Sequence, residues 1–171
     1  MMFRRKQSAS AECPGCNHPK ETTTHILQCQ ASGTSKEWKD AMQRLESWMQ
    51  EREAAPELAH AILTGLRTWR DRQLMPTPTY NLPFLNEACR IQNQIGWNAF
   101  IHGFTTNHWE HSQNLYLQYK SRKTSGRRWI AALIRKLWET IWSIWRYRNG
   151  LVHDQSNEPL KKINSLLSIS Q

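Results

Sequence analysis

The chain contains no run approaching eighteen apolar residues, so no segment is long enough to cross a membrane as a helix. No stretch alternates apolar and polar residues with a period of two, which excludes a substantial sheet. Glycine is scarce, at 7 of 171 residues, and no internal repeat is visible. Cysteine is limited to 4, and three of these fall in the first thirty positions. Three clustered thiols cannot pair off evenly, and the front of the chain has no secretory signal pattern. Disulfides are therefore not expected, and the expected location is intracellular, nuclear or ribonucleoprotein-associated if the source is eukaryotic. Acidic residues number 14 against 23 Lys and Arg, giving a net charge of +9 and a pI near 9.7. No grouping of paired carboxylates with a lysine suggests a restriction-like nuclease.

What the chain has in quantity is tryptophan, 9 in all. Indoles at that density bury a large area per residue and support a substantial core. Apolar residues recur at helical spacing over most of the length, so the expected fold is all-α: a small metal-binding knuckle followed by a bundle of about five helices. Thr34 to Glu37 reads as a capping box opening a helix to about Glu53, with Trp38, Met42, Leu45, Trp48 and Met49 inward. Pro56 opens a second, with Ile62, Leu63, Leu66 and Trp69 on one face. Residues 75–83 carry three prolines and form a linker. A third long helix holds Leu85, Cys89, Ile91, Ile95 and Phe100 and ends at Gly103. Thr105 or Thr106 opens a fourth, with Trp109, Tyr116 and Leu117 inward. A basic loop over 121–126 leads to the last major helix, Arg127 to Asn149. The expected divisions are a basic leader over 1–12, the knuckle over 13–33, the bundle over 34–155 and a tail over 156–171.

The knuckle is carried by Cys13, Cys16, His25 and Cys29, in the order C-P-G-C, eight residues, then H-I-L-Q-C. Two cysteines separated by two residues grip one side of a metal. A His and a Cys four apart on a helix present both ligands on one face. Three thiolates and an imidazole suit Zn²⁺ and fill its coordination sphere, so the site is structural. Pro14 and Gly15 sit between the first two cysteines, where the knuckle needs a tight turn and backbone amides free to face sulfur. Thr22 caps the short helix, and Ile26 and Leu27 give it an apolar edge. His18 is an alternative to His25 as ligand. Cys89 stands apart and reads as a packing thiol.

On the last helix, Trp129, Leu133, Leu137, Ile141 and Ile144 fall on one arc, widened by Ile130, Ile134, Trp138 and Trp145. Arg128, Arg135 and Arg146 lie opposite, and Arg122, Lys123 and Arg127 extend this basic stripe. A basic balance with interleaved aromatics points first to nucleic acid. Arg148 falls inside the apolar arc, where an unpaired guanidinium costs several kcal/mol, so it requires a carboxylate or carbonyl partner.

The finger, with Glu21 and Thr22 between its halves, resembles the zinc-binding region that follows the polymerase in LINE-type (non-LTR) retrotransposon reverse transcriptases. Ile95-Gly96-Trp97, Phe100, Gly103, Trp109, Gly126 to Trp129, Lys136-Leu137-Trp138, Trp142 to Trp145, Arg148-Asn149 and His153 are similar to the tail of the same proteins. The likeness spans residues 13 to about 155. It implies a non-catalytic module that binds RNA or DNA backbone, with Cys13, Cys16, His25 and Cys29 as zinc ligands. The catalytic polymerase domain is not in this sequence. Arg148, Asn149 and His153 also resemble the R-N-x-x-x-x-H-like motif of HEPN-type ribonucleases, with an Arg-to-His gap at the short end of that family's range, which would assign Arg148 to the phosphate and His153 to proton transfer. A protein-interaction module using its tryptophans is the third reading.

Overall fold

The computed structural model describes residues 12–168, with side chains described to His153. The leader expected over 1–12 lies outside the described residues except for Glu12. The described residues are all-α, with no strand among them, in the order α1 (Thr23–Gln28), α2 (Ser32–Glu51), α3 (Pro56–Arg70), α4 (Pro83–Ile95), α5 (Trp97–Ile101), α6 (Asn107–Tyr119) and α7 (Gly126–Ser168). The chain divides into two compact units, residues 39–142 and residues 1–38 with 143–171. It passes between them inside α2 and inside α7.

Residues 39–142 hold the larger core. Leu45 and Met49 of α2, Leu58, Ile62 and Leu66 of α3, Leu85 of α4, Phe100 of α5, Trp109 and Leu117 of α6, and Leu133 and Leu137 of α7 are all at most 2% exposed. Trp97, Phe100 and Trp109 form an aromatic cluster with centroids 5.0 to 6.2 Å apart and tilted or edge contacts. Two buried glutamines satisfy the polar groups that this packing would strand. Gln92 accepts from the Trp109 indole at 3.2 Å and donates to the carbonyls of Gly96 and Phe104. Gln113 accepts from the Ala55 amide and donates to the Glu53 carbonyl, closing the α2–α3 turn. Trp129 donates to the Arg52 carbonyl in the same turn.

Several boundaries depart from the sequence reading. The expected third helix is two, α4 and α5, because Gly96 adopts φ +95, a left-handed conformation that breaks the run. Ile95 is consequently 44% exposed, while Gln92 is fully buried. Pro83 lies inside α4, not in the linker, as one of its first residues, where a missing N–H costs nothing. Thr34 is not a cap: α2 begins at Ser32, and Thr34 is buried within its first turn. The last helix does not stop at Asn149 but continues to Ser168, absorbing most of the tail expected over 156–171. A single helical glycine such as Gly150 costs only about 1 kcal/mol. Trp138 faces outward at 58% exposure, away from the apolar arc. No described helix is long and apolar enough to cross a membrane.

Candidate metal centre

The second unit is built around the knuckle. Pro14 and Gly15 turn the chain so that the Cys13 amide donates to the His18 carbonyl at 2.9 Å and the Asn17 amide to the Cys13 carbonyl at 2.8 Å. Asn17 takes φ +59, which asparagine tolerates. The amides of Gly15 and Cys16 face the Cys13 sulfur. Thr22 caps α1 by accepting from the His25 amide at 3.0 Å. His25 rides on α1, but Cys29 is its C-cap with extended backbone, so the second ligand pair straddles the helix end. Ile26 and Leu27 are 4% and 2% exposed and fix the helix against its surroundings.

Cys13, Cys16, His25 and Cys29 each offer one ligand atom, and these four atoms lie within 4.8 Å of one another. Cys13 Sγ and Cys29 Sγ are 3.8 Å apart. That is far beyond a disulfide bond and equals the edge, about 3.8 Å, of a tetrahedron with ~2.3 Å metal–sulfur bonds. Cys16 Sγ and His25 Nε2 are 3.3 Å apart, slightly under the corresponding edge of about 3.6 Å. None of the four cysteines is joined in a disulfide. The four residues are thus positioned to bind a metal ion, and the donor set fits a closed four-coordinate site. His18 is not among the ligand atoms; its ring stacks on His25 with centroids 4.5 Å apart. Burial pushes the Cys13 thiol up to about 12, against the pull of the Gly15 and Cys16 amides. A cation held there would reverse this, since a coordinated thiol is deprotonated.

Arg148, on α7, donates to the carboxylate of Glu21, in the loop between the ligand pairs. The two side chains are 7% and 8% exposed. This is the partner that the position of Arg148 demands. The Arg148 guanidinium also lies 5.8 Å from the Trp145 ring centroid and reaches the Asn149 side chain. Ala31 and Thr34 close over Gly15, and a Cβ on Gly33 would collide with the Tyr147 hydroxyl. The start of α2 and the Tyr147–Arg148 segment in the middle of α7 therefore pack around the knuckle.

The basic residues singled out in the sequence are all exposed: Arg122, Lys123, Arg127, Arg128 and Arg135 in residues 39–142, and Arg146 in the unit holding the knuckle. Arg122 is paired with Glu53. His153 is exposed and Arg148 buried, five residues apart on one helix and so about 140° apart around it. The sequence reading did not identify Glu21 as the partner of Arg148, although it lies in the knuckle motif. It also missed the exposure of Trp138 and Trp142, 58% and 56%.

No family model matches the chain, and no curated protein or solved structure matches it.

Proposed function

We propose that this chain is a zinc-binding, non-catalytic nucleic-acid-binding module, of the kind that follows the polymerase in LINE-type reverse transcriptases, and that it holds RNA or DNA chiefly through the phosphate backbone. The observation that carries the reading is the convergence of the Cys13, Cys16, His25 and Cys29 ligand atoms within 4.8 Å of one another, with the Cys13 and Cys29 sulfurs 3.8 Å apart. Zn²⁺ is the ion this donor set favours, and its role is to close the knuckle. Among the residues that carry the resemblance, Glu21 is buried against Arg148, Thr22 caps α1, and Gly96 breaks the helix between α4 and α5. A net charge of +9, with Lys123, Arg127, Arg128 and Arg135 exposed, supports phosphate contact.

The ribonuclease reading draws less support. Arg148 is occupied by Glu21, and His153 points to another side of the helix.

Native mass spectrometry is expected to find one zinc per chain. Filter binding is expected to show RNA and single-stranded DNA held at low ionic strength, with affinity falling steeply as salt rises. A chain that carries no metal, or binds neither polymer at low salt, overturns the proposal.

A further inference from the structure

Trp38, Trp97, Trp109 and Trp129 are at most 6% exposed, whereas Trp138 and Trp142 expose more than half of their surface. The pair is separated by one turn of α7, so both indoles share a face, with their Cα atoms about 6 Å apart along the axis. Arg135 precedes Trp138 by three residues and Trp142 by seven, and Arg128 lies a further seven back. At ~100° per residue, Arg128, Arg135 and Trp142 fall within about 40° of one another, with Trp138 beside them. Arg127, Arg128 and Arg135 have no carboxylate at ion-pair distance among the described residues. The acid on this face, Glu139, is held by Lys136 at 3.2 Å.

The Trp138 ring is braced from one side. Gly103 takes φ +92, and a Cβ there would stand 3.1 Å from Ile134 Cγ2 and 4.0 Å from Trp138 Cζ2. The α5–α6 loop thus passes beside the indole edge, and the next residue, Phe104, is 67% exposed. Two indoles beside arginines that have no carboxylate partner among the described residues complement a ligand that is both anionic and aromatic. A protein surface able to neutralise those arginines would not need flat π-faces, whereas unpaired nucleobases supply both features at once.

We infer that this face of α7 is a stacking platform for single-stranded nucleic acid, with bases on Trp138 and Trp142 and flanking phosphates on Arg128 and Arg135. The inference rests on the nucleic-acid reading and narrows it to unpaired strands. Bases in a duplex already have their faces covered by neighbours and cannot use the platform.

The test uses the full zinc-loaded chain with a uridine oligonucleotide and a duplex of the same length. Trp138→Ala with Trp142→Ala is expected to weaken oligouridine binding roughly tenfold or more, leaving the duplex affinity and the salt slope unchanged. The paired Tyr substitutions are expected to restore most of the affinity, because a phenol still stacks. Trp142→Ala alone provides a smaller loss, should the double variant fold poorly. Oligouridine binding that survives the Ala substitutions overturns the platform, as does a loss shared equally with the duplex. Loss of self-association in light scattering, with strand affinity intact, would assign the indoles to a protein interface instead. If the parent chain binds no nucleic acid, the broader reading falls with the platform; if it binds without depending on these tryptophans, only the platform falls.

Discussion

Arg148 and Glu21 stand 127 residues apart in the chain and form a buried ion pair, with the guanidinium donating to the carboxylate. The second carboxylate oxygen of Glu21, Oε1, is buried without a hydrogen-bond partner, so the charge of Glu21 depends on Arg148. Removing one member strands the other. Arg148→Met is expected to cost about 3–5 kcal/mol, and Glu21→Leu combined with Arg148→Met less than either single change, because an apolar pair leaves no orphaned charge. Urea unfolding of the four-member mutant cycle measures this. Additive effects would mean that the pair is not coupled.

The metal centre makes a separate prediction. His25→Ala removes the one nitrogen donor, and native mass spectrometry should show zinc occupancy falling sharply. A chelator, or the substitution, should lower Tm by roughly 5 °C or more, at about 2–4 °C per kcal/mol for a chain of this size. An unchanged melting curve would mean that the ligand atoms converge without an ion.

The arginines are not equivalent. Arg122 is already engaged by Glu53, while Arg128 and Arg135 have no such partner among the described residues. Arg128→Gln with Arg135→Gln should reduce the slope of log affinity against log salt by about 2, and Arg122→Gln should reduce it less than either. Filter binding across a salt series tests the order.

Cys89 is 7% exposed, and burial pushes its thiol from 9.0 up to about 11. The unfolded chain releases this proton first, so the thiol contributes stability fully below about pH 9 and loses it progressively as pH rises to about 11. The loss is on the order of 2 kcal/mol. Unfolding at pH 8 and 10.5 should show a shallower alkaline decline in Cys89→Ala than in the parent. Tyr80, also raised by burial, leaves a residual slope of the same sign. Equal declines would remove Cys89 as the cause.

The metal ligands were legible because their spacing is short and local. So was the need of Arg148 for a counter-ion, since an angular count on one helix exposes a charge among apolar residues. Its partner was not legible: nothing in a periodicity links position 148 to position 21. Gly96 was hidden inside an apolar pattern that continues across it, because spacing registers side chains and not a φ of +95. Trp138 was misplaced for a different reason. It sits at the rim of the apolar arc, where the count alone cannot say whether an indole turns in or out, and the structure leaves it 58% exposed.

The knuckle's counter-charge also has a consequence for how the molecule is made. A ribosome adds roughly 5–20 residues per second, so Glu21 is synthesised about 6–25 s before Arg148. Throughout that interval the nascent finger must keep this carboxylate hydrated or bind it elsewhere. Metal capture can begin after Cys29 has left the exit tunnel, but the finger's final burial waits until Arg148 has been made.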